Sequence, residues 1–223
     1  MNQPDEQLTR VFAIRHGETD WNLAGRIQGH LDIELNEKGL WQVEQVAQVL
    51  AQEEICAVYA SDLKRAIQTA SSIADQFGLT VQRDSGLRER GFGVFEGSTF
   101  EEIRKEWPDM TERWRKRDPE FGAPGGETLS EFYQRSVTTA ERLAARHPGG
   151  AIVLASHGGV MDCLYRAASR VSLGTPRSWQ LGNASINRLL YTPRGFTLVG
   201  WNDTFHLETG AIPLDVSTTQ IRR

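Results

Sequence analysis

The stretch FAIRHGETDWN, Phe12 to Asn22, passes from a short apolar run directly into an arginine, a histidine and a glycine. A continuous apolar run of this kind is typical of a strand that is buried on both faces of a sheet. The polar residues that follow it fit either an ordinary loop or a site for a phosphoryl group. The rest of the sequence decides between these two interpretations.

Composition places the chain among ordinary globular proteins. Its 223 residues carry a net charge of -4, with 39% hydrophobic and 24% charged residues, and this length is enough for a self-sufficient core. The slightly acidic balance argues against nucleic acid as the main partner, because proteins that bind the phosphate backbone usually carry a positive face. No window approaches the roughly 20 apolar residues of a membrane helix, and the polar amino terminus does not resemble a signal peptide. We therefore expect a cytoplasmic enzyme or binding protein with no membrane partner.

The two cysteines, Cys56 and Cys163, have no metal-type spacing and lie within or beside apolar runs. We expect both to be buried free thiols in a reducing compartment rather than partners in a disulfide. This expectation agrees with a cytoplasmic location.

Apolar runs alternate with helical periodicity along most of the chain. Strands that alternate with helices predict an α/β fold with a mostly parallel sheet that is covered on both faces. We expect a single domain over residues 1–223 with a core at about 9–205, between a leader at 1–8 and a polar tail at 214–223. The predicted strands are residues 10–14, 57–60, 151–155, 187–191 and 196–201, and the predicted helices are 37–52, 62–77, 128–146 and 158–168.

Residues 91–126 break this regularity. The glycine-rich runs GFGVFEG and GAPGG flank an aromatic and charged segment that contains Trp107 and Trp114. We predict short helices that form a small cap over one end of the sheet, with both tryptophans in the cap core rather than in a platform for stacking bases. Ligands of open α/β sheets bind beyond the carboxyl ends of the strands, so this cap would shape the mouth of the site.

Polar motifs stand at the carboxyl ends of predicted strands or in the loop that leads to the cap: RHGETDWN, SDLKRAIQTA, LRERGFGVFEG and SHGG. A transferring phosphoryl group needs guanidinium forks, neutral donors and helix N-termini directed at one small volume. Arg15 and Arg65 supply the forks, and Asn22 supplies a neutral donor. Gly158, with Gly159, lets the backbone at the start of a helix approach the group closely.

Two histidines and one carboxyl group supply the chemistry. Neutral imidazole attacks phosphorus when a hydrogen bond holds it in one tautomer, and we assign this role to His16. His157 would donate to the transferring oxygens, being either protonated or at least oriented to do so. Glu89 is the candidate that protonates the leaving alcohol and later deprotonates water. Other carboxyl groups of the cap compete with it: Glu96, Glu101 and Glu102.

The loop after the RHGETDWN motif contains Gln28, Gly29 and His30. These residues are candidates for contact with the rest of the substrate. His30 is otherwise expected at the surface or in a supporting position, as are His147 and His206.

A metal centre is the alternative interpretation of these residues. His16, Glu89, His157 and Asp162 all carry groups that bind metals, but their spacing matches no common site. Two arginines beside a cation would also repel it. We therefore predict no metal site.

The motifs RHGET followed by WN, SDLKRAIQTA, LRERGFGVFEG, PGGET and SHGG occur in this order. Together they resemble the histidine phosphatase superfamily, in the branch of cofactor-dependent phosphoglycerate mutases and their phosphatase relatives, over about residues 11–201. The resemblance implies a three-layer α/β/α sandwich of the phosphoglycerate mutase type with a small helical cap. It also implies a phosphohistidine at His16, a proton donor at Glu89 and a phosphate pocket made by Arg15, Asn22, Arg65 and His157.

The cap separates two activities within this resemblance. Mutases of the superfamily carry a longer insertion with basic residues, whereas here 67 residues separate Glu89 from His157. We therefore predict a metal-independent phosphomonoesterase that hydrolyses a small phosphorylated metabolite and needs no cofactor. A phosphoglycerate mutase dependent on 2,3-bisphosphoglycerate is the alternative. A non-catalytic phosphate-binding regulator is disfavoured because it needs no nucleophile and proton donor together. Relatives commonly pair as dimers, so the resemblance allows a homodimer.

Overall fold

The computed structural model describes residues 8–208. The predicted tail at 214–223, and all but the last residue of the predicted leader, lie outside the described residues. The strands are β1 (Thr9–Arg15), β2 (Ile55–Ala60), β3 (Val81–Arg83), β4 (Ala151–Ser156), β5 (Ile186–Thr192) and β6 (Gly195–Asp203). The α-helices are α1 (Asp20–Leu23), α2 (Glu37–Leu50), α3 (Lys64–Gln76), α4 (Phe100–Glu106), α5 (Pro108–Arg115), α6 (Leu129–Ala144) and α7 (Gly158–Ser169).

The strands form one six-stranded sheet in the order β3-β2-β4-β1-β5-β6. β3, β2, β4 and β1 pair in parallel, whereas β5 is antiparallel to both β1 and β6. β5 therefore runs against all the other strands. A hairpin of two residues, Pro193 and Arg194, joins β5 to β6, and a connection this short can only join antiparallel strands. The prediction of a mostly parallel sheet is confirmed.

Two apolar layers cover the faces of the sheet. Side chains alternate along β1, so that Val11 and Ala13 enter one cluster while Phe12 and Ile14 enter the other. Helices α6 and α7 cover the first face, and α2 and α3 cover the second. The chain therefore forms a three-layer α/β/α sandwich with its core on both sides of the central strands.

Local signals set the ends of the helices. The side chain of Asn36 accepts a hydrogen bond from the N–H of Gly39 at 2.8 Å and so caps α2. Thr128 and Glu131 form a capping box at the start of α6. Helix α3 ends before Gly78, whose φ of +63° is a conformation that glycine adopts without strain.

The segment 91–126 contains α4 and α5 and forms an apolar cluster of its own. Phe95 and Ile103 are buried at its centre, and Trp107 and Trp114 pack against them. The rings of Phe95 and Trp114 are stacked with their centroids 5.6 Å apart. The prediction that both tryptophans belong to the cap core is confirmed.

The prediction that both cysteines are buried is wrong for Cys56. Both thiols are free, but Cys163 is buried on α7 while Cys56 is exposed on β2. The pairing of β2 with β4 shifts its register between Ile55 and Ala57, which places Cys56 in a bulge rather than in an apolar layer. Burial raises the pKa of the Cys163 thiol.

Candidate active site

The carboxyl ends of β1 and β4 bring two histidines together. These strands are parallel neighbours, and the last residues paired between them are Arg15 and Ser156. His16 and His157 each follow directly, and their ring centroids lie 5.3 Å apart. The register of two adjacent strands therefore builds the centre of the site at the edge where ligands of α/β sheets bind.

His16 is held as a neutral imidazole. It is 3% exposed, and its Nδ1 lies 2.7 Å from the carbonyl oxygen of Gly17. A carbonyl can only accept, so Nδ1 carries the proton and Nε2 carries the lone pair. Burial, followed by the charges of Arg65 and Arg15, lowers the pKa of His16 well below its usual value. Nε2 is therefore available as a nucleophile at neutral pH.

His157 has the opposite tautomer. The Nε–H of Arg65 donates to His157 Nδ1 at 3.2 Å, so the imidazole proton is on Nε2. Nε2 is buried and has no hydrogen-bond partner within residues 8–208. Burial, then the charge of Arg65, lowers the pKa of His157 well below its usual value. Of the two states considered from the sequence, the structure favours the neutral, oriented donor over the protonated one.

Two guanidinium groups stand beside the histidines. Arg15 donates through Nη1 to the carbonyl of Leu181, and its buried Nε has no partner within the described chain. Arg65 is 1% exposed and donates to the carbonyls of Leu31 at 2.8 Å and Gly29 at 2.7 Å. Burial lowers the pKa of Arg65 to about 10, so it stays charged at neutral pH. Each group is thus oriented by backbone carbonyls while N–H groups remain for an anion.

The loop after α1 supplies part of the cavity wall. Gly29 has φ +48°, and a Cβ there would lie 2.1 Å from Glu96 Oε1, so a side chain would strain the backbone and force Glu96 to move. Its carbonyl orients the guanidinium of Arg65 at 2.7 Å. Gln28 donates through Nε2 to Thr19 Oγ1 at 2.8 Å. Gly29 therefore acts through its backbone, whereas Gln28 brings a polar side chain to the cavity.

Asn22 is positioned by the capping box of α1. Its Oδ1 accepts from the N–H of Thr19 at 3.1 Å and from Asn183 Nδ2 at 3.2 Å. Because Oδ1 is engaged in this way, the Nδ2 amide is the group of Asn22 that can donate to a ligand.

Glu89 is half-buried opposite the start of α7. Its Oε2 accepts from the N–H of Gly159 at 3.0 Å, and its Oε1 accepts from the N–H of Arg90 at 2.8 Å. The ring Nε2 of His30 lies 2.8 Å from the carbonyl oxygen of Glu89. His30 therefore supports the backbone of the candidate acid rather than reaching the cavity.

The competing carboxyl groups have other partners. Glu96 accepts from the N–H groups of His30 at 3.0 Å and Phe92 at 2.9 Å. Glu102 completes the capping box of α4. The side chain of Glu101 is 87% exposed on the same helix. The geometry therefore singles out Glu89 among the four.

One cavity of about 600 Å³ collects most of the candidates. His157 is not part of its wall and lies, fully buried, behind His16 and Arg65. A Cβ at Gly158 would lie 3.3 Å from Arg15 Nε, so an added side chain would push the guanidinium by a few tenths of an ångström. The sequence-predicted residues that line the cavity are Arg15, His16, Asn22, Gln28, Gly29, Arg65, Glu89 and Gly158.

The loop between α7 and β5 is a part of the site that the sequence motifs missed. Asn183 Nδ2 donates to the carbonyl of His16 at 3.0 Å. No sequence signal pointed to this loop. It reaches the site because β5 pairs antiparallel with β1, so the residues before β5 lie at the edge of the sheet where β1 ends. Further residues of this loop line the cavity: Arg177, Trp179, Gln180, Leu181 and Gly182.

Gly159→Ala tests whether the position of the Glu89 carboxyl group matters for catalysis. A Cβ at Gly159 would lie 2.1 Å from Glu89 Oε1 and 2.9 Å from Phe132, so the carboxyl group must move. If Glu89 is the acid, we expect kcat for alkyl phosphates to fall about 10- to 100-fold, and kcat for p-nitrophenyl phosphate to fall less. Gly174→Ala is the matched control, because nothing lies within 4 Å of its added Cβ. Unchanged rates on alkyl phosphates in Gly159→Ala would remove Glu89 from the acid role.

The two buried histidines also make stability depend on pH. Their folded-state pKa values are lowered, so below pH about 6.5 the unfolded chain binds protons that the folded chain does not. The free energy of unfolding is therefore highest above this pH. It should fall as the pH drops, by up to about 1.4 kcal/mol per pH unit for each histidine. Urea unfolding between pH 7.5 and 5 measures the slope. His16→Ala should reduce this slope. An identical slope in that variant would contradict the lowered pKa assigned to His16.

Two negative findings concern the described chain. Within residues 8–208, no helix is both long and apolar enough to span a membrane. In the same range, no cluster of three or more His, Cys, Asp or Glu side chains is arranged to hold a metal ion.

Known proteins resemble this chain in sequence and in structure. The family model described as histidine phosphatase superfamily (branch 1) matches residues 11–204. Phosphoglycerate mutase-like protein 4 of Arabidopsis thaliana is 38% identical over 208 residues, which cover 92% of this chain and 89% of that protein. Metal-independent phosphoserine phosphatase of the same plant is 34% identical, with coverages of 92% and 86%. The solved structure of a mycobacterial glucosyl-3-phosphoglycerate phosphatase is 32% identical, with a TM-score of 0.77 and coverages of 86% and 98%.

Proposed function

We propose, from the premise that this chain belongs to the histidine phosphatase superfamily (branch 1), that it is a metal-independent phosphoric monoester hydrolase acting on a small phosphorylated metabolite through a phosphohistidine at His16. One observation carries this proposal: a neutral His16 has a lone pair on Nε2 and lines the same cavity as the guanidinium groups of Arg15 and Arg65. The relatives named as a metal-independent phosphoserine phosphatase and a glucosyl-3-phosphoglycerate phosphatase support hydrolysis of this substrate class.

The first chemical step transfers the phosphoryl group to the enzyme. His16 Nε2 attacks phosphorus in line, the N–P bond forms, and the bond from phosphorus to the ester oxygen breaks. Arg15 and Arg65, which line the cavity, donate to the equatorial oxygens, and the unpaired Nε2–H of His157, buried beside His16, adds to the electrostatic stabilisation of their negative charge. Glu89 delivers a proton to the leaving oxygen, so the product departs as a neutral alcohol.

The second step returns the enzyme to its starting state. Glu89, now a carboxylate, takes a proton from water as the water oxygen attacks phosphorus. The P–N bond breaks, inorganic phosphate forms, and His16 recovers its lone pair while Glu89 again carries the proton. The same residues thus act in both steps, and no metal ion is needed to balance them.

The mutase activity is the weaker alternative. It uses the same pocket but returns the phosphoryl group to a neighbouring hydroxyl instead of to water. The name of the Arabidopsis mutase-like relative includes this activity. The segment of 67 residues between Glu89 and His157 favours hydrolysis, because it is shorter than the segment that the family resemblance implies for mutases.

The relatives suggest substrates to test, and the cysteines bear on the location. Phosphoserine is one ester to include in a substrate panel, since a relative that covers most of the chain is named for it. The two free thiols support a reducing, cytoplasmic location.

Phosphate release in the presence of EDTA tests this proposal. We expect hydrolysis of p-nitrophenyl phosphate and of small alkyl phosphates at the same rate with and without the chelator, because both steps use side chains alone. Phosphate release can be followed by a colorimetric assay. Loss of activity in EDTA that a divalent ion restores would contradict the metal-independent mechanism.

A further inference from the structure

A second cavity, of about 460 Å³, opens beside the first. Glu89, Phe92, Gly159 and Arg177 line both, so the two cavities meet at the proposed acid, whereas His16 lines only the first. In-line displacement places the leaving oxygen on the side of phosphorus opposite the attacking nitrogen. Glu89 must reach that oxygen. A leaving group in this position extends past Glu89 into the second cavity.

Arg177 stands at the junction of the two cavities. It is exposed, and it forms no hydrogen bond or ion pair with any residue in the range 8–208. Its charge contributes to the lowered pKa of Arg15, which places it near the phosphate pocket. Arg177 is therefore the guanidinium that can bind an anionic group of a ligand. The other arginines of the second cavity are engaged by carbonyls or carboxylates: Arg90, Arg115 and Arg117.

The wall of the second cavity carries a carboxylate oxygen without a partner. The side chain of Asp162, on α7, is 7% exposed. Its Oδ2 accepts from Arg117 Nη2 at 2.7 Å and from Arg166 Nε at 2.9 Å. Its Oδ1 is buried and has no partner among residues 8–208. An unpaired buried acceptor is unfavourable, so a ligand hydroxyl that reaches Oδ1 from this cavity, once the side chain shifts to expose it, would gain a hydrogen bond there.

The remaining wall residues and the size of the second cavity restrict which ligands fit it. Phe92, Trp114 and Phe132 provide apolar surface for the carbon chain of a ligand, and the few polar groups fix its orientation. A volume of about 460 Å³ corresponds to roughly 15 water molecules. A leaving group of three carbons, such as serine, would leave most of this space unused.

We propose that the second cavity binds the leaving group of the substrate, and that this group is a hydroxylated carboxylic acid longer than three carbons. Arg177 binds its carboxylate, and Asp162 Oδ1 accepts a hydrogen bond from one of its hydroxyls. The inference rests on the proposed function, because it takes Glu89 as the group at the leaving oxygen. It makes Arg177 and Asp162 residues that determine specificity.

Kinetics on matched esters test this assignment. We expect kcat/KM for 6-phosphogluconate to exceed that for glycerol 3-phosphate, which lacks a carboxylate, and that for phosphoserine, which lacks the longer hydroxylated chain, by about 10-fold or more. Arg177→Gln should lower the ratio of kcat/KM for 6-phosphogluconate to that for p-nitrophenyl phosphate by about 10- to 100-fold. Arg115→Gln is the matched control, because Arg115 lines the same cavity but is paired with Glu112 at 2.9 Å. Arg115→Gln should leave the ratio of the two kcat/KM values unchanged.

Inhibition by the free leaving group measures binding to the second cavity without requiring that the leaving group's ester be hydrolysed. Gluconate should inhibit p-nitrophenyl phosphate hydrolysis competitively, and sorbitol and hexanoate should each bind at least about 10-fold more weakly. Equal inhibition by all three, or equal kcat/KM for the three metabolite esters, would overturn the cavity assignment. An equal drop in the ratio for Arg115→Gln would do the same. Failure to hydrolyse any ester, p-nitrophenyl phosphate included, would instead overturn the proposed function.

Discussion

His16→Ala should abolish turnover, lowering kcat by a factor on the order of 10⁴ to 10⁶. The substitution removes the lone pair that attacks phosphorus, and the remaining groups of the pocket can bind phosphate but cannot form the N–P bond. The expected result covers both p-nitrophenyl phosphate and alkyl phosphates, because both esters must transfer their phosphoryl group to His16 whatever their leaving group. Rapid acid-free quenching followed by mass spectrometry of the peptide that contains His16 measures the phosphoenzyme directly.

His147→Ala is the matched control for this experiment. His147 contacts Tyr59 and Cys56, which lie on β2 away from the cavity. That variant should form the phosphoenzyme at the normal level. A phosphoenzyme that persists in His16→Ala would show that another residue is the nucleophile.

Glu89→Gln should slow hydrolysis of alkyl phosphates by about 10² to 10⁴. The amide keeps the shape of the side chain but cannot deliver a proton to the leaving oxygen. p-Nitrophenolate leaves without help, so p-nitrophenyl phosphate should lose much less in the first step. Single-turnover measurement of alcohol release on both esters separates this step from hydrolysis of the phosphoenzyme.

Glu101→Gln provides the comparison, since Glu101 competed with Glu89 at the level of the sequence and is 87% exposed on α4. It should leave both rates unchanged. Equal slowing of the two esters in Glu89→Gln would mean that Glu89 acts by position or charge and not as an acid.

The sequence predicted the part of the site that follows directly from strand ends. Arg15 ends one strand and Ser156 ends its neighbour. His16 and His157 follow directly, so the register of a parallel pair brings them together once both strands are recognised. The alternation of strands and helices then predicts that helices cover both faces of the sheet. The fold class and its mostly parallel sheet followed from these local patterns.

Other features depended on contacts that local patterns do not encode. The strand β3 has three residues at the edge of the sheet, which is too short for a periodic signal. The loop that contains Arg177 and Asn183 reaches the site because β5 lies beside β1 and runs against it, and neither neighbour nor direction can be read from an apolar run. The tautomer of His157 likewise depends on a distant contact with Arg65.

Product analysis by phosphorus NMR tests the central claim most directly. The enzyme is incubated with 3-phosphoglycerate, with and without 2,3-bisphosphoglycerate, beside a panel of small phosphomonoesters. Hydrolysis predicts inorganic phosphate as the phosphorus-containing product of every ester that reacts, with no effect of the bisphosphate. Formation of 2-phosphoglycerate in excess over the added bisphosphate, which can only come from 3-phosphoglycerate, would contradict the account and make the protein a mutase.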